Sequence, residues 1–297
     1  EFMKSYCSAF LEDIDAEAHG RVRVYGPFST INLTGQVVAN GAVTVSSLNC
    51  RYTLKNDTVK FIPDDILLNK IPIYDKYGNV AYMSGGLHHK HLTRLTYDFD
   101  IEARNFLAYD FKDFGESTFY GTAYLTGLCN LKGRSSELDI NVEGDVEKGS
   151  RIVYNAASPD AITKQEFITW HSKNEKPEDA NASSEGEGKE DDDVRTNIRM
   201  NFMFNVTPES SLYLLMDPNT GDYIDLHGSG GLRASYYNKG TFDLFGNYLI
   251  ESGTYKMTIQ NVITRNFNFL KGSSITFGGD PYNAVLNMQA KYPLNSV

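Results

Sequence analysis

This sequence predicts an all-β protein without helical cover. Three observations carry that: apolar and polar residues alternate with period two, turn residues fall between the alternating runs, and helical spacing is nearly absent. In Ile31, Leu33, Gly35, Val37, Ala39, Gly41, Val43 and Val45 every odd position is apolar or glycine. The even positions run Asn32, Thr34, Gln36, Val38, Asn40, Ala42, Thr44 and Ser46. Such a split marks a strand with one buried and one wet face.

Taken in order, the same pattern sets Val22 and Val24 on one parity, then Tyr97, Phe99, Ile101 and Ala103 opposite Asp98, Asp100, Glu102 and Arg104. Leu125 and Leu131 share parity with Gly127 and Gly133, and Leu138, Ile140, Val142 and Val146 oppose Asp139, Asn141, Glu143, Asp145 and Glu147. Met200, Phe202, Phe204 and Val206 follow, then Phe242, Leu244, Gly246, Tyr248 and Ile250, then Tyr255, Met257 and Ile259. Roughly twenty such segments are separated by turn signals at Asn56-Asp57, Gly78-Asn79 and Asn219-Thr220-Gly221. Glycines recur six apart (Gly35/Gly41, Gly121/Gly127, Gly127/Gly133, Gly240/Gly246), which keeps them on one face and predicts a sharply bent sheet. One short helix is expected from Thr163 to His171, where Thr163 and Glu166 fit a capping box.

The chain has 297 residues, is 41% hydrophobic and 22% charged, and carries a net charge of −10. That balance fits a folded body and argues against nucleic acid as a partner, since binding phosphates needs a basic face. Residues 172–194 hold nine acidic residues against three lysines, a local −6, leaving −4 for the rest. They read as an acidic disordered loop. It separates residues 1–171, the first part of one β-body, from residues 195–297, the second part. No run approaches the roughly 18 apolar residues of a spanning helix. The opening Glu1-Phe2-Met3 and an end inside a strand-like pattern predict a piece of a longer protein.

Candidate chemistry is thin. His88, His89 and His91 are the densest group, but the sequence places no cysteine or carboxylate on their face, so no metal site is expected. The carboxylate rows Asp98/Asp100/Glu102 and Asp139/Glu143/Asp145 read as a solvated outer face, because a catalytic pair needs two unlike environments. Cys7, Cys50 and Cys129 sit at no metal-ligand spacing and read as buried thiols. There is no nucleophile elbow, phosphate loop or dinucleotide fingerprint, so neither a catalytic residue nor a cofactor is expected.

An apolar face on every strand and no helix to cover it leave a sandwich, a barrel, a solenoid or a curled open trough. In the last case the lining comprises Val22, Val24, Ile31, Leu33, Val37, Val43, Val45, Tyr97, Phe99, Ile101, Leu125, Leu131, Leu138, Ile140, Val142, Met200, Phe202, Phe204, Phe242, Leu244, Tyr255, Met257 and Ile259. Twenty strands stacked about 4.8 Å apart make roughly 90–100 Å of trough.

Several stretches resemble the C-terminal domain of the TamB family (translocation and assembly module subunit), especially its Bacteroides-like version. They are Asp217 to Asp222 with Gly228-Ser229-Gly230-Gly231-Leu232, Gly246 to Tyr255, and above all Phe267-Asn268-Phe269, Gly272 to Ile275 and Gly279 to Ala284. Gly85-Gly86-Leu87-His88 and Tyr120 to Tyr124 agree. The resemblance implies a β-taco, a long curled antiparallel or mixed sheet with a hydrophobic interior. It also implies a periplasmic location, with an inner-membrane anchor absent from these residues, and an outer-membrane barrel partner of the BamA/TamA class. The implied role is non-enzymatic: phospholipid transport between the inner and outer membrane, outer-membrane protein assembly, or both, with acyl chains or nascent outer-membrane strands held in the groove. Two alternatives stay open, a chaperone-like strand-donating assembly factor and a carbohydrate-binding adhesin. Trp170, the single tryptophan, lies off the strands and weakens the second.

Overall fold

The computed structural model describes residues 11–27, 30–115, 117, 119–134, 137–156, 197–240, 242–260 and 262–293. Cys7, Trp170, the helix expected at 163–171 and the acidic loop 172–194 lie outside them.

The described strands form one sheet, and the described helical pieces are two single 3₁₀ turns, Ser46–Leu48 and Pro281–Asn283. The first half is an antiparallel meander: β1 (Leu11–Tyr25), β2 (Asn32–Val45), β3 (Cys50–Ile62), β4 (Asp65–Tyr74), β5 (Val80–Lys90), β6 (Thr93–Phe111) and β7 (Phe119–Arg134). Beyond β7 the chain uses interrupted strands. β8 (Glu137–Val146) and β9 (Arg151–Asn155) lie end to end along one edge of β7. β10 (Asn197–Val206) and β11 (Ser211–Asp217) run parallel beside them in one continuous register, Asn197 opposite Glu137 and Ser211 opposite Arg151. This parallel junction joins the segments before and after residues 172–194 into the same sheet. β12 (Asp222–Tyr237) and β13 (Phe242–Ile259) follow antiparallel. β14 (Ile263–Phe269) and β15 (Ser273–Gly279) share the far edge of β13, and β17 (Ala290–Lys291) and β16 (Val285–Asn287) flank them.

The pairings β7–β8–β10–β12–β11–β9 close a circuit of six strands. It is no barrel, because β8 and β9 occupy one edge of β7 while β6 occupies the whole of the other. The interruptions also shorten the stack. End-to-end strands share a rung, so 17 strands give thirteen rungs and a length of about 58 Å at 4.8 Å per step, well short of the 90–100 Å expected.

The interruptions line up. Tight turns at Glu147–Ser150, Thr207–Ser210 and Leu270–Ser273 each close with an N–H to C=O bond across four residues, of 3.2, 3.1 and 3.2 Å. Each ends on a buried serine: Ser150, Ser210 and Ser273 are 3%, 5% and 3% exposed. Between them the β12–β13 register slips at His227/Gly228, and on the other side the β6–β7 register slips between Ala103 and Phe106. A crease therefore crosses the sheet at right angles to its strands, because a β-turn or an extra residue in a strand bends it locally. The glycines help. At Gly121 (φ 142°) a Cβ would stand 2.0 Å from the Arg151 carbonyl oxygen, and at Gly127 2.1 Å from that of Glu143, so only glycine allows these backbones so close. One expected turn is not a turn. Asn56 (φ 53°) is an irregular residue inside β3, which runs on through Asp57.

Candidate functional site

Cross-strand register carries the apolar parity from one end of the sheet to the other. One row runs Val22, Gly35, Phe61, Ile66, Leu87, Tyr97, Gly133, Leu138, Ile198. The next runs Val37, Val59, Leu68, Gly85, Phe99, Leu131, Ile140, Met200, Tyr236, Phe242. A third holds Met83, Ile101, Cys129, Val142, Phe202, Ala234 and Leu244. Opposed residues in a sheet share a face, so these rows are one surface. Val24 with Leu33, Val43, Val45, Leu125 and Phe204 belong to the same face by strand parity, and Ile31 sits just ahead of β2. In β13 the apolar parity changes from even (Phe242, Leu244) to odd (Tyr255, Met257, Ile259) across the slip opposite His227/Gly228, which keeps both sets on the apolar face.

Part of this face packs on itself at the parallel junction. Leu138, Ile198, Met200 and Tyr236 are buried together, with Tyr97, Leu131, Ile140, Phe202 and Phe242 against them. A second cluster spans the crease: Leu226, Tyr248, Ile250 and Ile275 are buried together, with Val206 and Leu212, from the two sides of the crease, packed against them. A third joins Ile73, Ala81 and Phe106. Elsewhere the face is half-buried, and at two corners it is open, with Val24 64% and Ile259 42% exposed.

Sequence parity missed the apolar residues beyond the crease: Tyr109, Phe119, Tyr154, Leu214, Ile224 and Phe267. Tyr109 packs with tilted rings against Phe111 and Phe119 at centroid distances of 5.0 and 5.5 Å. Alternation restarts there with shifted parity, so the signal was a pair of short patterns instead of one long one.

Polar groups anchor the crease. Asp75 accepts from the amides of Tyr77, Asn79 and Leu107, each at 2.9 Å. Asp110 is buried, which pushes its carboxyl up, but hydrogen bonds from Lys112, Lys76 and Thr122 outweigh that and hold it at about 2. Burial pushes the thiols of Cys50 and Cys129 to about 11, so both stay protonated near neutrality and are poor nucleophiles. Cys50 is buried as expected and Cys129 half-buried.

The histidines have carboxylates beside them that the sequence reading did not place there, supplied by the neighbouring β3–β4 turn. His88 contacts Asp65 at 2.5 Å, and the Asp64 carboxylate lies 3.9 and 3.8 Å from the His89 and His91 rings. Among the described residues no three such groups converge on a metal-sized point. The carboxylate rows lie on the polar face: Asn130 bonds Asp98 and Asp100, Lys132 pairs with Asp98, and Asn205 bonds Asp145. A cleft of about 830 Å³ opens on that polar face among Tyr82, Asp100, Asn141, Asn201, Arg233 and Phe245.

A single mixed sheet with one apolar face, one polar face and no second layer among the described residues defines the class of long single-sheet β-proteins. The family model of the TamB C-terminal domain matches residues 69–296, and the chain belongs to the TamB family. Domains of this family are generally non-catalytic, and membership implies a role in outer-membrane assembly or transport, a TamA-class partner, and a periplasmic setting with an inner-membrane anchor. The match is to the family at large and singles out no Bacteroides-like version. No curated protein and no solved structure matches this chain.

Proposed function

We propose that the apolar face is the working surface of a non-enzymatic periplasmic conduit. It takes phospholipid acyl chains, or nascent outer-membrane strands, between the inner and outer membranes. The observation that supports this reading is the continuity of the apolar rows over seven to ten strands with no layer of described residues above them. Each methylene moved from water to that surface contributes about 0.8 kcal/mol, so a single acyl chain binds without polar recognition. Continuity matters because a guest then slides along the rows without crossing a polar barrier. A BamA/TamA-class barrel partner fits the far end, where Val262 (82%), Val285 (67%) and Leu286 (62%) stand in solvent.

Photo-crosslinkers at Leu33, Phe99, Ile140 and Phe202 are expected to capture lipid, and the same probes at Asp100 and Asn141 on the polar face are not. Leu33→Arg and Ile140→Asp are expected to stop capture at positions further along the same face. Equal labelling from both faces, or capture untouched by Ile140→Asp, overturns the reading.

A further inference from the structure

The polar face of the sheet carries large apolar side chains that its alternation does not call for. Leu128, Met203 and Tyr82 are 61%, 51% and 40% exposed there. Cross-strand register sets them in one row with Phe245, and the row alternates. Tyr82 (β5), Leu128 (β7), Met203 (β10) and Phe245 (β13) hold every second strand, and Glu102 (β6), Glu143 (β8) and Arg233 (β12) stand between them. The adjacent row is polar throughout: Ser84, Asp100, Asn130, Asn141, Asn201 and Ser235. Both rows line the cleft of about 830 Å³. These seven strands lie in mid-sheet with partners on both sides, so the cleft rests on neither end of the sheet.

The spacing decides what fits. Strands two apart are separated by about 9.6 Å, so an apolar seat recurs at that interval with a charged group midway. An extended peptide laid across them repeats its side chains on one face about every 6.8 Å and falls out of step. A β-1,4-linked polysaccharide stays in step, because each ring advances by about one strand spacing and successive rings turn over. Its carbon–hydrogen ring faces then meet the apolar seats, and its hydroxyls meet the groups between them and in the polar row. The lining holds three acids (Asp100, Glu102, Glu143) against two bases (Lys70, Arg233), a near balance that disfavours a polyanion. We infer that this cleft binds an uncharged β-1,4-linked polysaccharide running across the strands. Seven strands span about 29 Å, room for about six rings.

The polar row keeps groups in reserve for it. Asn130 donates to Asp100 and Asp98 at 2.8 and 3.1 Å, and Asn201 donates to Asn141 at 2.9 Å. Among the described residues the side-chain amide nitrogen of Asn141 and the side-chain carbonyl of Asn201 have no hydrogen-bond partner, which leaves a donor and an acceptor side by side for ring hydroxyls. Lys70 lies over the Tyr82 ring at 5.4 Å and Arg233 over the Phe245 ring at 5.0 Å. The open apolar seats are therefore Leu128 and Met203, two strands apart at the centre of the row. The site is on the opposite face from the conduit and does not depend on what that face carries.

Calorimetric titration of the whole chain is expected to show binding of a hexasaccharide of β-1,4-linked glucose or N-acetylglucosamine. Affinity should rise at least about tenfold from the disaccharide to the hexasaccharide, and a β-1,4-linked polyuronate of the same length should bind at least about tenfold more weakly. Leu128→Ser and Met203→Ser should each weaken the hexasaccharide by about tenfold, while Leu128→Met stays within about threefold. Both positions are exposed, and circular dichroism checks that the sheet is intact. Binding of neither hexasaccharide, affinity indifferent to length, a polyuronate held as tightly, or Ser variants that bind like the parent overturns the inference.

Discussion

Ser150 and Ser210 stand opposite each other in the parallel junction, where the Ser211 amide donates to the Ser150 carbonyl at 2.9 Å. Both serines are buried and each closes a four-residue turn. Their hydroxyls do different work. Ser150 Oγ accepts the Tyr124 amide at 2.9 Å, and Ser210 Oγ donates to the Thr207 carbonyl at 2.7 Å. Two interruptions in neighbouring strands thus become one crease without leaving these amides and carbonyls unpaired.

Ser150→Ala removes the hydroxyl with little change of volume and strands the Tyr124 amide. A loss of about 1–3 kcal/mol is expected, read as a lower urea midpoint with an unchanged slope. Combining it with Ser210→Ala should cost a different amount from the sum of the two, since the residues touch one network.

Asp110 predicts a pH dependence. Its folded value of about 2 lies below the ordinary 3.8, so its contribution is fully present above about pH 4 and is lost as pH falls toward 2. Lys112 and much of Lys76 reach solvent, which caps the effect at about 2 kcal/mol and makes it smaller in high salt. Asp110→Asn should lower stability by that amount at pH 7, and the two proteins should converge near pH 2 in chemical denaturation.

Gly121→Ala puts a methyl group where the Arg151 carbonyl already stands and on a φ of 142°. A loss of about 3 kcal/mol is expected, with thermal melting as the readout. At Gly78, where an added Cβ meets nothing within 4 Å, the same change should cost less.

Met200→Ala removes a side chain packed with Leu138, Ile198 and Tyr236 and should cost about 2–5 kcal/mol. Because Met200 and Ile140 are opposed across the parallel junction, separation of the segments on either side of residues 172–194 should accompany unfolding, measurable by limited proteolysis.

The strands and the sidedness of the sheet were readable in advance because side-chain direction alternates within a strand. Phe99 and Ile101, or Phe202 and Phe204, declare their face two residues at a time. The sites of irregularity were not. Asn56 reads as a turn yet lies inside β3, and the restart of parity from Ala103 to Phe106 looks like noise until β7 is set beside it. Asp64 and Asp65 reach the histidines only because β4 pairs with β5.

What the sequence by itself determined is the all-β class and the apolar parity within each uninterrupted run. Both follow from local backbone geometry and from which side chains water rejects. Only the tertiary structure decided the parallel junction between β8/β9 and β10/β11, the crease and the number of rungs. Those depend on which distant strands exchange hydrogen bonds: Met200 meets Ile140 from 60 positions away, and no pattern within either strand encodes its neighbour.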